Sequence, residues 1–406
     1  MYMRNIIILL FLAVLPFEGR AENLFATLLG KSEAEVNQRL DDIWHHFFTP
    51  ADISRYEQDG EKSVYYTTAD GMAFVMDTGS NDVRTEGMSY GMMISVQLGH
   101  RTEFDKLWAW AKRYMAYPAG SVWDGYFCWQ CKPDGTPFGH SNASDGELYF
   151  VTALFLAAEK WNEPKYADEA NAILEKVMSK GNGVTDGKVT VYNLFNTTNH
   201  IITFVPDQGG HGFTDPSYQL PAFLQKWSKV AAKNRDFWKE AAKAARNVLI
   251  ASAHPVTGLY PDYCEFSGKA YRWPHAGYDT SIYMYDAIRC TMNVGMDYYL
   301  YGKDKRRQRD VMRRCLTTFK NDDFQHSFFP LDGTNAFGDG RYSQGMIGAN
   351  AVGAFALAHS NSSDKALARE LVQRLWDAQP PTGKYRYYQG MVYMLSMLHV
   401  SGHFKL

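Results

Sequence analysis

DVRTEGMSYGMM, at residues 82–93, is the stretch that most directly decides how this chain folds. It places a single carboxylate, Glu86, at the start of a segment that is typical of a helix, and Gly91, Met92 and Met93 give that helix a slim, apolar surface. Burial penalises the charged form of a carboxyl group and raises its pKa, which is what a proton donor near neutral pH requires. The alternative is that Glu86 is a first-turn acid that complements the helix dipole.

Apolar periodicity and flanking breaker residues predict one helix after another along the chain. Twelve helices are predicted, at residues 33–47, 87–99, 102–116, 146–161, 164–179, 216–228, 234–252, 287–301, 304–320, 343–359, 363–377 and 387–400. The longer connections, 121–145 and 181–214, are rich in Gly, Pro, Asn and Asp and have room for short strands. No low-complexity linker divides the chain, so residues 22–406 are predicted to form one domain.

Polar and aromatic residues cluster at the start of every second predicted helix. The clusters lie at Glu86 and at residues 144–149, 215–218, 285–289, 341–345 and 385–389. Helices joined by short loops run antiparallel, so the six even-numbered helices are parallel to one another. If they form an inner ring, their N-termini meet at one end and pool acids and aromatics in one cleft. The pattern therefore predicts an all-α fold, an (α/α)6 barrel.

Composition restricts the classes of partner. The net charge of the 406 residues is -2, which argues against nucleic acid or an anionic membrane surface. Aromatic residues make up 15% of the chain, a share that suits stacking on the apolar faces of sugar rings as well as ordinary core packing.

The first residues have the pattern of a secretory signal. Arg4 supplies a positive charge, residues 6–16 form a short apolar run, and small residues at 19–21 precede a cleavage site. The run is too short to span a bilayer. We therefore expect residues 1–21 to be a signal peptide and the mature protein to be exported, periplasmic or secreted, as a soluble monomer without membrane insertion.

Five cysteines leave at least one thiol unpaired. Cys128 and Cys131 have the spacing of a redox or zinc motif. No second pair and no cluster of histidines accompanies them, and no metalloprotease, phosphate-loop or dinucleotide motif occurs. The sequence therefore predicts neither a metal nor a cofactor.

Six motifs in order resemble glycoside hydrolase family 8. They are TEGMSYGMM (85–93), WDG (123–125) followed by DG (134–135), ASDG (143–146), PSY (216–218), YDAIR (285–289) and YYQGM (387–391). The resemblance runs through nearly all of the mature chain. It implies an inverting hydrolase of β-1,4-linked glycans on an (α/α)6 scaffold.

The resemblance assigns the two catalytic acids. Inversion needs one neutral carboxylic acid to protonate the leaving oxygen and one carboxylate across the ring to activate water, about 6.5–9.5 Å apart. Glu86 matches the acid, and Asp286 matches the base, three residues before Arg289. Asp286 could instead be a helix cap paired with Arg289, and Asp279 is the rival base.

The resemblance also implies a set of substrate-binding residues. Asp145 matches the aspartate that binds and distorts the sugar at the cleavage point, and Tyr218 matches the tyrosine that helps hold the attacking water. The same set includes Trp129 and Trp123 as cleft aromatics, together with Arg289, Tyr90, Tyr342 and Tyr388, with Tyr387 as an alternative to Tyr388. Either tryptophan could instead belong to the core.

Within the family, the motifs look most like the exo-oligoxylanases that release xylose from the reducing end of xylo-oligosaccharides. In those enzymes a loop before the tenth helix, carrying a histidine, closes the cleft one sugar beyond the cleavage point. Here Tyr342 stands where the histidine is expected, and His326 lies upstream. Residues 324–342 are the candidate wall.

Three alternatives stay open: an endo-β-1,4-xylanase or another endo-acting glycanase of the family, a non-catalytic glycan-binding protein, and a polysaccharide lyase on the same scaffold.

Overall fold

The computed structural model describes residues 22–338 and 343–406. The predicted signal peptide, residues 1–21, lies outside the described residues, as does the predicted site residue Tyr342. Export and a monomeric state therefore stay predictions. Among the described residues, no helix is both long and apolar enough to cross a membrane.

Twelve helices form two concentric rings. Their bounds are α1 Glu33–Phe48, α2 Thr85–Leu98, α3 Arg101–Trp110, α4 Ser144–Trp161, α5 Pro164–Val177, α6 Pro221–Val230, α7 Arg235–Ala251, α8 Arg289–Leu300, α9 Lys305–Asn321, α10 Ser343–Gly353, α11 Ser362–Asp377 and α12 Arg386–Val400. The even-numbered helices contact one another in the closed order α2, α4, α6, α8, α10, α12 and back to α2, and each packs against the odd-numbered helix paired with it. The predicted (α/α)6 barrel is confirmed.

The inner and outer helices differ in how much of their surface is buried. The inner helices α4 and α12 are buried along most of their length, whereas the outer helices α5 and α11 bury one face and expose charged residues on the other. The inner helices also approach closely. A Cβ atom added at Gly295 of α8 would lie 2.2 Å from the carbonyl oxygen of Val352 in α10, so only glycine fits there.

A small antiparallel sheet lies beside the start of α2. Its strands are β1 Tyr65–Thr67, β2 Ala73–Asp77, β3 Asp82–Arg84 and β4 Gln130–Cys131, paired in that order. Two further two-stranded sheets, β5 Val184–Thr185 with β6 Thr190–Val191 and β7 Phe195–Asn196 with β8 Ile201–Ile202, lie in the predicted loop 181–214. Because β3 runs directly into α2, the first sheet fixes the position of Glu86.

Two inner helices begin later than predicted. The sixth was predicted from residue 216, but Pro216–Tyr218 forms a separate 3-10 turn and α6 begins at Pro221. A proline restricts the residue before it, and Leu220 accordingly leaves the helical region at ψ 68°. The eighth is likewise preceded by a 3-10 turn, Tyr285–Ile288. A short helix, Leu24–Leu29, was not predicted, since six residues are too few to show a helical period.

Candidate active site

A cleft of about 580 Å³ opens at the end of the barrel where the inner helices begin. Carboxylates and aromatic rings from segments far apart in the chain line it together: Asp77, Gly79, Ser80, Arg84, Thr85, Glu86, Trp129, Ala143, Asp145, Tyr218, Tyr285, Asp286, Tyr385, Tyr387, Tyr388 and Gln389. The predicted pooling of acids and aromatics at one end is confirmed for five of the six clusters; residues 343–345 of the remaining cluster do not line the cleft, and 341–342 lie outside the described residues.

The guanidinium of Arg289 lies beneath this cleft and is only 2% exposed. Its Nη1 atom donates to Asp145 Oδ2 at 2.5 Å and to the hydroxyl of Tyr90, and its Nη2 atom donates to Ser217 Oγ at 3.0 Å. The group also lies over the ring of Tyr218, 5.6 Å from its centre. These contacts fix the guanidinium in one orientation.

The same guanidinium reaches both predicted catalytic acids. Nη2 lies 3.1 Å from Asp286 Oδ2, and Nη1 lies 3.5 Å from Glu86 Oε2. Both contacts are made by one planar guanidinium, whose two Nη atoms are close together. The two carboxylate oxygens are therefore less than about 9.5 Å apart, the upper limit of the carboxyl spacing in inverting glycosidases.

Glu86 occupies the first turn of α2, and its carboxyl group is almost enclosed. Tyr387 donates a hydrogen bond to Glu86 Oε1 at 2.9 Å. Burial raises the pKa of Glu86 to about 8, with Asp286 and Asp145 adding to the rise while Arg289 and Tyr387 oppose it. Near neutral pH the group is therefore largely protonated, the state that a general acid must have before it reacts.

Asp286 lies in a strained turn. The preceding Tyr285 has φ +40°, which is unfavourable for any residue with a side chain. The backbone N–H of Asp286 donates to Asp262 Oδ1 at 3.2 Å, and Tyr278 donates to Asp262 Oδ2 at 3.0 Å. The side chain of Asp286 is 30% exposed to the cleft, so water can reach it while Asp262 holds its backbone from behind.

Sequence reasoning missed Asp262. It is 24 residues from Asp286 in a loop without a recognisable motif, and only the folded chain brings the two together. Burial, followed by the charge of Asp286, holds the pKa of Asp262 well above its usual value. Because its raised pKa favours the neutral carboxyl group, Asp262 repels the carboxylate of Asp286 less. It can therefore accept the backbone N–H of Asp286 without placing another full negative charge in the site.

Two further acids shape the neighbourhood. Asp145, at the start of α4, gives one oxygen to Arg289, while its Oδ1 accepts no hydrogen bond within the described ranges. Asp215 is fully buried, accepts a hydrogen bond from the backbone of Ser217 at 2.6 Å, and has its pKa raised strongly by burial. Asp145 lines the cleft and Asp215 lies behind it.

One wall of the cleft pairs the predicted cleft aromatic Trp129 with Arg84, a residue that the sequence did not single out. Arg84 pairs with Asp77 and Asp82 at 2.9 Å each, and its guanidinium lies 5.7 Å from the ring centre of Trp129. The backbone N–H of Thr85 donates to the carbonyl of Trp129 at 3.0 Å. Trp129 is thus fixed directly beside the segment that carries Glu86.

Three of the predicted substrate-binding residues do not line the cleft. Trp123 is 5% exposed and packs on Tyr117 and Tyr126, so its prediction as a cleft aromatic is corrected to a core position. Tyr90 and Arg289 are buried beneath the acids and act on them instead of facing the cleft. The Tyr90 hydroxyl accepts a hydrogen bond from Arg289, whose Nη atoms also donate to Asp145 and Ser217.

The remaining predicted residues either line the cleft or lie away from it. Tyr218, Tyr387 and Tyr388 line the cleft with Trp129, Asp145 and the two predicted catalytic acids. The rival base Asp279 does not line it.

Hydrogen bonds from Ser281 outweigh the effect of burial and lower the pKa of Asp279, which also faces Arg272 at 3.9 Å. His326 pairs with Asp322 at 2.7 Å and likewise lies outside the cleft lining.

Comparisons with known proteins agree with this geometry. The family model described as Glycosyl hydrolases family 8 matches residues 51–402. A reducing end xylose-releasing exo-oligoxylanase of Bifidobacterium adolescentis is 35% identical over 95% of this chain and 96% of its own. The structure of a GH8 xylobiose complex from Teredinibacter turnerae has a TM-score of 0.85 at 37% identity, covering 95% of this chain and 98% of that one. Rex8A from Paenibacillus barcinonensis, complexed with xylose, has a TM-score of 0.84 at 32% identity, covering 96% and 98%.

Replacing Tyr387 with Phe should raise the pKa of Glu86 further. The Tyr387 hydroxyl donates to Glu86 and so favours its ionised form, and removing that bond favours the protonated form. A hydrogen bond to a charged group contributes about 1.5–3 kcal/mol, so we expect a rise of at least about one pH unit. Carbon NMR titration of labelled glutamate carboxyl groups, assigned with Glu86→Gln, measures it.

The matched control is Tyr385→Phe, because Tyr385 is half exposed at the rim of the same cleft. It should leave the titration of Glu86 unchanged. A Tyr387→Phe protein in which Glu86 titrates as in the parent would show that this hydrogen bond does not tune the acid.

Proposed function

The chain belongs to glycosyl hydrolase family 8, and from that premise we propose that it is an inverting enzyme that removes xylose from the reducing end of β-1,4-linked xylo-oligosaccharides. Three relatives named as reducing-end xylose-releasing exo-oligoxylanases are similar to this chain over almost its full length. The observation that carries the proposal is the pair of Glu86 and Asp286, two acids of different exposure held on one guanidinium across a cleft.

Glu86 is the proposed general acid. Its raised pKa keeps a proton on the carboxyl group near neutral pH, and that proton passes to the oxygen of the glycosidic bond as the bond to the anomeric carbon breaks. Charge develops on Glu86 only as the reaction proceeds. Arg289, 3.5 Å away, stabilises the carboxylate that forms, so the same contact is stronger in the transition state than before it.

Asp286 is the proposed general base. Arg289 pairs with its carboxylate at 3.1 Å, and its 30% exposure admits a water molecule. That water attacks the anomeric carbon from the face opposite the leaving oxygen, while its proton passes to Asp286. A new carbon–oxygen bond forms as the glycosidic bond breaks, and the configuration at the anomeric carbon inverts.

Asp145, Tyr218 and Trp129 are proposed to position the sugar that is attacked. Asp145 lines the cleft, and its bond to Arg289 through Oδ2 fixes the carboxylate beside the proposed position of the sugar. Trp129 offers an indole face braced by Arg84, suited to the apolar face of a pyranose. Tyr218 lines the cleft next to Arg289 and is proposed to help hold the attacking water.

An aromatic hairpin supports removal of a single sugar. Phe328 and Phe337 pair through two backbone hydrogen bonds of 2.9 Å, and their rings lie 5.5 Å apart. The ring of Phe328 lies 5.2 Å from Tyr285, which lines the cleft beside Asp286. We propose that this ladder of rings, part of the predicted wall 324–342, closes the leaving-group side after one sugar.

Variants of the acids test the catalytic roles. Glu86→Gln keeps the shape of the side chain but has no proton to give, so turnover of xylotriose should fall by about 10²–10⁴-fold, the usual worth of a general acid. Asp286→Asn should lose turnover to at least a similar degree. Asp279→Asn is the matched control and should retain most activity, because Asp279 lies outside the cleft lining. Initial rates of xylose release measure all three.

Near-normal rates for Glu86→Gln would remove that residue from the role, and loss of activity in Asp279→Asn alone would move the base. A protein that binds xylo-oligosaccharides but never cleaves them would be the non-catalytic alternative. Unsaturated products would indicate a lyase.

Xylotriose labelled with an isotope at its reducing end tests the direction of attack. We expect the label to appear in free xylose, with unlabelled xylobiose as the partner product, and little release from polymeric xylan. Phe337→Ala should let a longer leaving group enter, so that xylotetraose labelled in the same way yields labelled xylobiose. The matched control is Phe138→Ala, which removes a comparably exposed ring outside the hairpin and should leave the position of the label unchanged.

Mass spectrometry of early products reads the position of the label. Label retained in xylobiose from the parent enzyme would indicate attack from the non-reducing end. A ladder of mid-length products from xylan would indicate an endo-xylanase.

A further inference from the structure

We propose that Cys128 and Cys131 form an intramolecular disulfide by thiol–disulfide exchange, and that this bond controls how the Trp129 platform is held. The platform is the indole of Trp129 together with Arg84. The proposal goes beyond the hydrolase activity, which uses neither thiol. It concerns the CWQC motif at residues 128–131, which the reaction leaves without a role.

The two thiols face one another across a bend in the chain. The Cys131 thiol is a hydrogen-bond partner of the Cys128 sulfur. The carbonyl oxygens of Gln130 and Gly139 both lie 3.2 Å from the Cys128 sulfur and share the single hydrogen of its thiol form, and Cys131 donates to the carbonyl of Tyr114 at 3.6 Å. Both sulfurs therefore lie on the same side of the loop, although two residues separate them.

This loop lies directly behind the general acid. In the β3–β4 pair, Arg84 is opposite Gln130, and Val83 is opposite Cys131. Thr85, the residue before Glu86, donates to the carbonyl of Trp129 at 3.0 Å. A covalent bond between the residues that flank this tryptophan must therefore act on the segment that leads into α2.

Gly139 connects the thiols to the indole. Its carbonyl accepts from Cys128, and a Cβ atom added at Gly139 would lie 2.5 Å from Nε1 of Trp129, so its backbone packs closely on the indole. Oxidation removes the hydrogen that Cys128 donates to Gly139. The contact that presses residue 139 against Trp129 is then weakened, and the indole face that meets the sugar is held less firmly.

A small-molecule disulfide, such as oxidised glutathione, is the oxidant in this exchange. The hydrogen bond from Cys131 lowers the pKa of the Cys128 thiol to about 6, so a thiolate is available near neutral pH. It attacks one oxidant sulfur and expels a thiolate. Cys131 then loses its proton, attacks the Cys128 sulfur and expels the second thiolate. Two electrons pass from the cysteines to the oxidant, and the two protons are taken up by the released thiolates.

The other three cysteines provide an internal comparison. Cys264, Cys290 and Cys315 are fully buried, and burial raises the pKa of each thiol. The hydrogen bond with Cys128 and burial raise the pKa of Cys131 as well, so Cys128 is the one cysteine of the five whose thiol pKa is lowered. Cys128 and Cys131 are also nearly covered, so the proposed exchange requires the loop to open. That loop carries Phe138, which is 53% exposed.

The first experiment maps the thiols. The full-chain protein is equilibrated in glutathione buffers of increasing oxidised fraction until the composition is constant, then alkylated and analysed by peptide mass spectrometry. We expect one two-electron transition in which the peptide with both Cys128 and Cys131 loses two hydrogens while the other thiols stay alkylated. Cys128→Ser should abolish the transition, and Cys315→Ser should retain it.

Alkylation of both Cys128 and Cys131 at the oxidising limit would overturn the proposal. So would a persistent glutathione adduct on Cys128 or a bridge that involves any other cysteine.

The second experiment tests the connection to the cleft in the same samples. Oxidation should change the intrinsic fluorescence, and Trp129→Phe should remove that change. For xylotriose we expect KM to rise about two- to five-fold with kcat within about two-fold, the scale of a weakened ring contact. Complete bridging with neither signal moved would overturn the link to the platform. Thiol mapping and fluorescence do not depend on hydrolysis, so failure of the proposed function is distinguishable from failure here.

Discussion

The site depends on the contacts of a single buried cation, the guanidinium of Arg289. Glu86, Asp145 and Asp286 lie close enough to repel one another strongly, and burying an unpaired charge costs several kcal/mol. One guanidinium contacts all three, and it also donates hydrogen bonds to Tyr90 and Ser217. Because the three acids share one positive charge, none of them is fully neutralised by it. The more enclosed Glu86 keeps its proton, while the more exposed Asp286 remains accessible to water.

The closed inner ring is what makes this sharing possible. Arg289 begins α8, Asp145 lies in the first turn of α4 and Glu86 in the first turn of α2, so three separate hairpins supply the cation and two of the acids. The N-termini of inner helices carry partial positive charge, which favours carboxylates there. Close packing through Gly295 holds α8 against α10 and limits how far the cation can move.

The sequence predicted the ring and most of the cleft because both follow from periodic patterns. Helical periods locate twelve helices, and polar clusters at alternate starts locate one end of a barrel. The predictions failed where burial depends on a neighbour that is distant in the chain. Trp123 and Trp129 lie in the same loop, yet only Trp129 meets Arg84, while Trp123 packs on Tyr117. Likewise, no local sequence pattern predicts that Asp262 supports the turn that contains Asp286.

The anomeric configuration of the first product shows whether Glu86 and Asp286 act as the acid and base of an inverting reaction. If Glu86 and Asp286 act together across the sugar ring with a water between them, cleavage of a β-linkage must release a new reducing end in the α configuration. Proton NMR during the first minutes of xylotriose digestion, before mutarotation, distinguishes the anomers. We expect the α signal of the new reducing end to appear first and the β signal to follow. A β product at the earliest times would mean retention through a covalent intermediate, and would contradict the roles given to both acids.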